Sequence, residues 1–491
     1  TLEAPTPEQR PEEIEQLGRT RTDEFSWLRD ANWQEVMRDP SVLRQDIREH
    51  LEAENAYYNE VMEPLSGLET RIYEEIRGRI KEDDESPASR DGDWYYSSRY
   101  REGGQYPVFV RRATGENGEM AGEEVIIFDG DAEAEGIDYF GLGAVQHSPN
   151  HRYLAYAVDT AGSEFYAVKI RDLETGEDIA TLTDEGYGSI VWGNDSETIY
   201  WVWRDENNRP RRVYRQNINS DDAELIYEET DPGYLLGVGK TDGDRWIVLS
   251  ANDHTTSEMR VFDANDPNAE PILIAEREPG VEYSLTEAGG RLFVRTNLDD
   301  AVDFQIMEAP LEDPRRENWT PLIEHRPGVL VNGLMGFENW LVRSERANAL
   351  PRIVVRDLRS GEEHEIAFDE EAYALGMDGG YEYATDQMRF SYESPSTPEQ
   401  TYDYDMGTRE RTLIKEQEVP SGHNADDYVV RRIMATARDG ASVPVTILYH
   451  RDTPIDGTAP LLLYGYGSYG ITIPASFSVS RLSLVDRGMV Y

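Results

Sequence analysis

Toward the carboxyl end the chain reads Leu461-Leu-Leu463-Tyr464-Gly465-Tyr466-Gly467-Ser468-Tyr469-Gly470. Three phenols and a hydroxyl alternate with three glycines, which let a backbone turn sharply and approach a ligand closely. The apolar run before them reads as a buried strand. A loop at the carboxyl end of a parallel strand is where open α/β sheets place their chemistry. An ordinary Gly-rich turn fits the same spacing. Other reactive groups are sparse. There is no cysteine, which excludes disulfides, thiolate metal sites and a cysteine nucleophile. The eight histidines (50, 147, 151, 254, 325, 364, 423 and 450) have no serine or aspartate partner that sequence justifies, and read as surface or packing residues. His364-Glu-Ile-Ala-Phe368 stops one residue short of the zinc pattern H-E-x-x-H. Asp129-Gly-Asp-Ala-Glu133 has carboxylates at a spacing that suits calcium, but in so acidic a chain it reads as a solvated loop. No P-loop or dinucleotide fingerprint is present, so no cofactor and no metal are expected.

These residues need a scaffold, and 491 residues are enough for two or three domains. Hydrophobic residues make up 38%, below the globular norm, yet 10% aromatics can still build cores. No apolar run is long enough for a membrane helix. The start, Thr1-Leu-Glu-Ala-Pro5, has neither the basic nor the apolar region of a secretory signal, so a cytoplasmic location is expected. Asp and Glu total 97 against 48 Lys plus Arg, a net charge of −49, and lysine occurs only at 81, 169, 240 and 415. Such a surface repels nucleic acids and anionic membranes. It steers cationic substrates toward itself. Acid excess with lysine depletion is the habit of proteins from salty cytoplasm. An acidic protein of ordinary surroundings has the same composition.

Three regions follow. Residues 1–80 read as a helical segment, with Asp39-Pro40 as a helix start. Leu43, Ile47 and Leu51 then recur every four residues. Pro64 and Gly67 break the pattern before Leu68, Ile72, Ile76 and Ile80 resume it. Residues 81–418 read as short alternating strands, among them those starting at Trp94, Val108, Val125, Tyr153, Thr198, Arg245, Arg291 and Trp340. Strand starts near Gly141, Ser189, Leu235, Tyr283, Val331 and Tyr373 recur at roughly 42–48 residues, the period of a four-stranded propeller blade. The region is long enough for about seven blades. A β-sandwich array would not be expected to keep so even a period. Residues 419–491 change character again. Tyr428–Ala437 and Val443–Tyr449 read as strands joined by the hairpin signal Asp439-Gly440. Pro460–Tyr464 reads as the next strand, Arg481–Arg487 as a short helix, and Gly488–Tyr491 as the beginning of another strand.

The wording of the Gly-Tyr stretch resembles the prolyl oligopeptidase family of serine peptidases, and within it the oligopeptidase B branch. Ser476-Phe-Ser-Val-Ser-Arg-Leu-Ser-Leu-Val-Asp-Arg-Gly488 matches too, as do Phe25-Ser-Trp-Leu-Arg-Asp30, Arg79-Ile-Lys-Glu-Asp83, Ser148-Pro-Asn-His-Arg152 and Asn208-Arg-Pro-Arg-Arg-Val-Tyr214. The resemblance implies a seven-bladed propeller inserted into an α/β-hydrolase domain. Only that domain's N-terminal helices and first strands fall within residues 1–491. It implies that Tyr466 donates its hydroxyl to the oxyanion of acyl transfer, work a phenol on a Gly-flanked loop can do. The family's nucleophile, acid and histidine lie beyond residue 491, and no G-x-S-x-G elbow occurs before it: Tyr466-Gly-Ser468-Tyr-Gly470 has tyrosine where glycine is needed. The chain is therefore expected to be cut short, and inactive on its own. The implied function is hydrolysis of short, cationic peptides after Arg or Lys, with the propeller filtering access. One departure stands out: relatives favouring paired basic residues carry two acids where this chain has Pro474 and Ser476. The rival reading is a non-catalytic propeller that binds peptides or proteins.

Overall fold

Between Ser89 and Glu416 the alternating segments are strands, each paired antiparallel with its sequence neighbour within a sheet. A computed structural model describes residues 3–491. Five separate four-stranded sheets span 89–129, 235–275, 283–323, 329–365 and 374–416. The molecule is a β-propeller in which these sheets are blades. Middle strands are buried on both faces because a neighbouring blade covers each side. Thr198–Arg204 is buried at six of its seven positions. Outer strands such as Arg411–Glu416 are exposed almost throughout. The turn Asp172-Leu-Glu-Thr-Gly176 and its counterpart Asp357-Leu-Arg-Ser-Gly361 close in the same way. The aspartate carboxylate accepts from the amide two residues on, and the glycine takes a positive φ of 75° or 79°.

The expectation of about seven separate blades needs correction. Five are discrete, while residues 141–228 form one seven-stranded sheet. The cause is a single 16-residue strand, Glu177–Trp192. Its first half pairs with Tyr166–Asp172 and its second half with Thr198–Arg204, and Gly186 pairs on both sides, with Tyr166 and with Trp203. A Cβ at Gly186 would sit 2.8 Å from both the Tyr166 carbonyl oxygen and a Val168 methyl, so the handover needs glycine.

The N-terminal segment is only partly helical. A hairpin, Glu12–Gln16 with Arg19–Asp23, precedes the helices Trp33–Arg38, Gln45–Met62 and Ser66–Gly78. Asp39 caps a single 3-10 turn, Pro40–Val42, by accepting from the Ser41 amide, and the long helix starts later, at Gln45. Of its apolar stripe Ile47 is buried, whereas Leu51, Tyr58 and Val61 are exposed. No α/β-hydrolase layer forms among the described residues. The last segment is the hairpin Tyr428–Thr436/Ser442–His450, a helix Val479–Val485 and isolated pairings. The expected strand at Pro460–Tyr464 is reduced to one parallel bridge, Leu461 with Val490. Leu448 and Tyr491 exchange both backbone hydrogen bonds, which brings residue 491 beside the hairpin.

Candidate active site

The Gly-Tyr loop leaves from that parallel bridge, the position at which α/β sheets hold catalytic loops. Its tight turn is not at Gly465 or Gly467. It lies at Tyr469-Gly470, with φ of 59° and 68°. No atom lies within 4 Å of where a Cβ would stand at Gly465 or Gly467, so the loop is free of packing on that side. Tyr466 is 52% exposed and Leu463 78%. Tyr469 lays its ring against His254, centroids 4.3 Å apart, so the loop rests on the propeller at the turn after Trp246–Asn252. Sequence reasoning missed His254, because nothing local ties it to a loop more than two hundred residues away.

The same end of the propeller carries the other contacts to the last segment. Arg431 pairs with Glu371 at 2.9 Å, and the Arg432 amide donates to the same carboxylate. The Arg432 guanidinium donates to the Asn348 carbonyl. His423 Nε2 lies 2.7 Å from the Ser396 carbonyl oxygen, and its ring stacks on Tyr428. The Phe477 amide donates to Glu393 Oε2 at 3.0 Å. Burial pushes the Glu393 carboxyl up from its ordinary value, with that amide acting against the shift. The N-terminal helices fasten the other side. Arg79, at the end of Ser66–Gly78, donates to Ser483 Oγ at 2.6 Å and pairs with Asp486 at 3.0 Å, while Arg487 pairs with Glu75 at 2.7 Å. Tyr428 donates to Asp486 too, and burial followed by that hydrogen bond raises its phenol.

The remaining candidates sort differently. Asp129-Gly-Asp-Ala-Glu133 is a helical turn with its carboxylates engaged, not a loosely solvated loop. Asp129 caps it and pairs with Arg101 at 2.6 Å, and Asp131 accepts from the amides of Gln105 and Tyr106. Arg101 holds the Asp129 carboxyl below its usual range. Among the described residues three histidines do have aspartate partners: His147 with Asp91 at 2.7 Å, His325 with Asp303 at 3.4 Å and His450 with Asp452 at 3.7 Å. His364 bonds the Tyr404 hydroxyl, as a packing residue does. Among the described residues no helix is long and apolar enough to cross a membrane.

Residues 5–417 match the family model for "Prolyl oligopeptidase, N-terminal beta-propeller domain". The chain belongs to the prolyl oligopeptidase family, a family of serine peptidases (S9) that act on peptides. Dipeptidyl aminopeptidase BI of Pseudoxanthomonas mexicana is 38% identical over 493 residues, a match covering 96% of this chain and 66% of that protein. Protease 2 of Moraxella lacunata is 29% identical, covering 100% of this chain and 69% of that one. Oligopeptidase B from Trypanosoma brucei, solved with covalently bound antipain in a closed form, superposes with a TM-score of 0.91 at 28% identity, over 100% of this chain and 71% of that one. The chain thus spans about two thirds of the length of its relatives.

Proposed function

We propose that residues 1–491 supply the entry segment, propeller and first sheet elements of a serine oligopeptidase that cleaves short peptides after basic residues. Tyr466 serves as an oxyanion donor. The observation that carries the reading is the placement of the Gly-Tyr loop. It springs from a parallel bridge and leans on one mouth of the propeller through Tyr469 and His254. On this reading the domains are 1–80, 81–418 and 419–491, and 141–228 counts as two blades sharing a strand, giving a ring of seven. The period of roughly 42–48 residues supports that count. The propeller gates access, and the acidic surface draws cationic peptides to it. The exposed apolar faces of the long helix and of residues 461–473 are surfaces for the rest of an α/β-hydrolase sheet to cover.

The test is Tyr466→Phe in a chain that carries the full hydrolase. Loss of one oxyanion donor should lower kcat by roughly 10²–10³ with the fold intact. An unchanged kcat removes Tyr466 from the site. Residues 1–491 alone, which hold no nucleophile elbow, should neither turn over an Arg-amide substrate nor take up a fluorophosphonate probe. Pro474 and Ser476 weigh only against a preference for paired basic residues, while the identity to a dipeptidyl aminopeptidase supports a second reading, release of dipeptides from free N-termini. Faster turnover of a dipeptidyl amide than of its N-blocked counterpart would select it. The composition also fits a salt-rich cytoplasm. Screening of a net charge of −49 should raise the Tm between low salt and about 1 M NaCl, and a flat curve would reject this.

A further inference from the structure

Strands in a blade alternate in direction, so successive turns lie at opposite mouths of the propeller. The last segment docks at turns that follow second strands, such as those at His254, Asn348 and Glu393. Turns that follow first strands lie at the other mouth. Asp91 ends the first strand Ser89–Asp91, His147 ends Gly141–His147, and His151 lies in the turn after it. We propose that Asp91, His147 and His151 bind one divalent transition-metal ion, of the zinc type, at this far mouth, joining the first blade to the next sheet.

One ligand atom from each of the three lies within 4.8 Å of the other two. His147 Nε2 and Asp91 Oδ2 are 2.7 Å apart, a hydrogen-bond contact; ligands about 2.0–2.1 Å from a tetrahedral zinc stand about 3.3 Å apart, so binding replaces the proton they now share and parts the two atoms slightly. Two imidazoles and a carboxylate suit zinc, nickel or copper, whereas calcium and magnesium seek an all-oxygen shell. The surroundings hold the ligands in place. The Tyr96 hydroxyl lies 2.9 Å from His151 Nδ1, which leaves Nε2 as the coordinating nitrogen. A ligating histidine is usually oriented by such a partner on its other nitrogen. The Tyr96 ring stacks on His147 with centroids 3.8 Å apart and planes 4° off parallel, and Tyr381 meets the same imidazole edge-on at 5.0 Å. Gly92 leaves the approach to His151 open: a Cβ there would stand 3.6 Å from Nε2. Arg111 is the neighbouring cation. Its guanidinium is turned onto Trp94 and the His151 carbonyl.

The test uses residues 1–491 without a polyhistidine tag, stripped with EDTA and titrated with zinc against a competing chromophoric chelator in 0.5 M NaCl. One saturable zinc per chain is expected. It should be lost in the double variant His147→Gln/His151→Gln and weakened roughly 10–100-fold in Tyr96→Phe, which removes an orienting partner and no ligand. Millimolar calcium should not displace it. If the double variant does not fold, copper bound to the unaltered chain decides: its paramagnetic resonance should carry hyperfine structure from two imidazole nitrogens. Zinc uptake equal in the double variant and the parent, displacement by calcium, or copper without nitrogen coupling would each overturn the assignment.

Discussion

Neighbouring sheets of the propeller meet in two ways. At five junctions a buried apolar cluster spans the pair. Tyr96, Phe128, Leu154 and Tyr156 join 89–129 to 141–228; Phe337, Trp340, Met388 and Phe390 join 329–365 to 374–416. The other three junctions are filled in the same manner. At the seam where 374–416 meets 89–129, no such cluster spans the gap among the described residues. A cavity of about 410 Å³ lies there, lined by Ser86, Tyr96, Ser98, Met377, Phe390 and Thr401 among others. Polar fasteners cross it. Arg389 reaches Ser89 Oγ at 3.1 Å and the Ala88 carbonyl at 3.2 Å while held by Asp403, Lys415 pairs with Asp84 at 2.7 Å, and Arg90 faces Glu382 at 3.5 Å. Apolar contact is cohesive without direction and indifferent to salt, whereas exposed ion pairs contribute little and are screened. The ring is therefore strongly joined everywhere except where its ends meet.

The largest effect should come from an apolar junction. Phe293 is fully buried between 283–323 and 329–365, and Phe293→Ala should cost about 3–5 kcal/mol. The measure is the denaturant midpoint, together with amide exchange that quickens across both blades. A loss below 1 kcal/mol would mean that these clusters do not hold the ring. Arg389→Ala should cost less, about 1–3 kcal/mol, and locally, because it strips partners from Asp403 and the 87–89 backbone. Exchange should rise at 86–91 and 387–392 and stay unchanged in the opposite blades. A uniform rise would erase the distinction between the junctions. Salt should sharpen it: in 1 M NaCl amide exchange at the seam should quicken relative to the apolar junctions, where ion pairs such as Arg277–Glu229 and Arg245–Glu312 also cross but a buried cluster lies beside them. Equal protection at both would count against that reading.

The smallest effect concerns Glu393, where the propeller holds the last segment. Its carboxyl is raised above the ordinary 4.5 by burial, so the folded state favours the neutral form. That contribution is complete in acid and is lost as pH rises through the raised value. Protection of residues 474–488, corrected for intrinsic exchange, should therefore fall with rising pH in the parent. Glu393→Gln, which can still accept from Phe477, should flatten that fall; a dependence unchanged in the variant would assign it to another group.

Much of this could be read from the sequence, for a physical reason. Blade strands are local, alternate apolar with polar and end at Gly or Asp turns, so the starts at Gly141, Leu235 and Tyr283 fall where the pattern places them. The joined sheet was not legible, because Glu177–Trp192 passes Gly186 and Gly188 without a turn, and glycine there signals close approach rather than a break. Asp39-Pro40 is a true cap, but of a single turn; local chemistry marks a start and says nothing of length. Of the candidate site, the Gly-Tyr loop is visible through its glycines, while the role proposed for Tyr466 comes from the resemblance alone. His254 beneath the loop, and Asp91 beside His147, are not visible, because contacts made by tertiary packing leave no periodicity.

The strand shared across 177–192 bears on how such a ring can change over evolutionary time. Propellers grow and shrink by duplicating or deleting whole repeats, and a repeat can be lifted out only if its hydrogen-bonded edges belong to it. On the proposed reading of 141–228 as two blades, they own one strand in common, so removing either would leave the other with an open row of amides and carbonyls. Such a pair can be inherited or lost only together. Engineered new termini should be accepted in the linkers after residues 228, 275 or 323, and refused between 177 and 192.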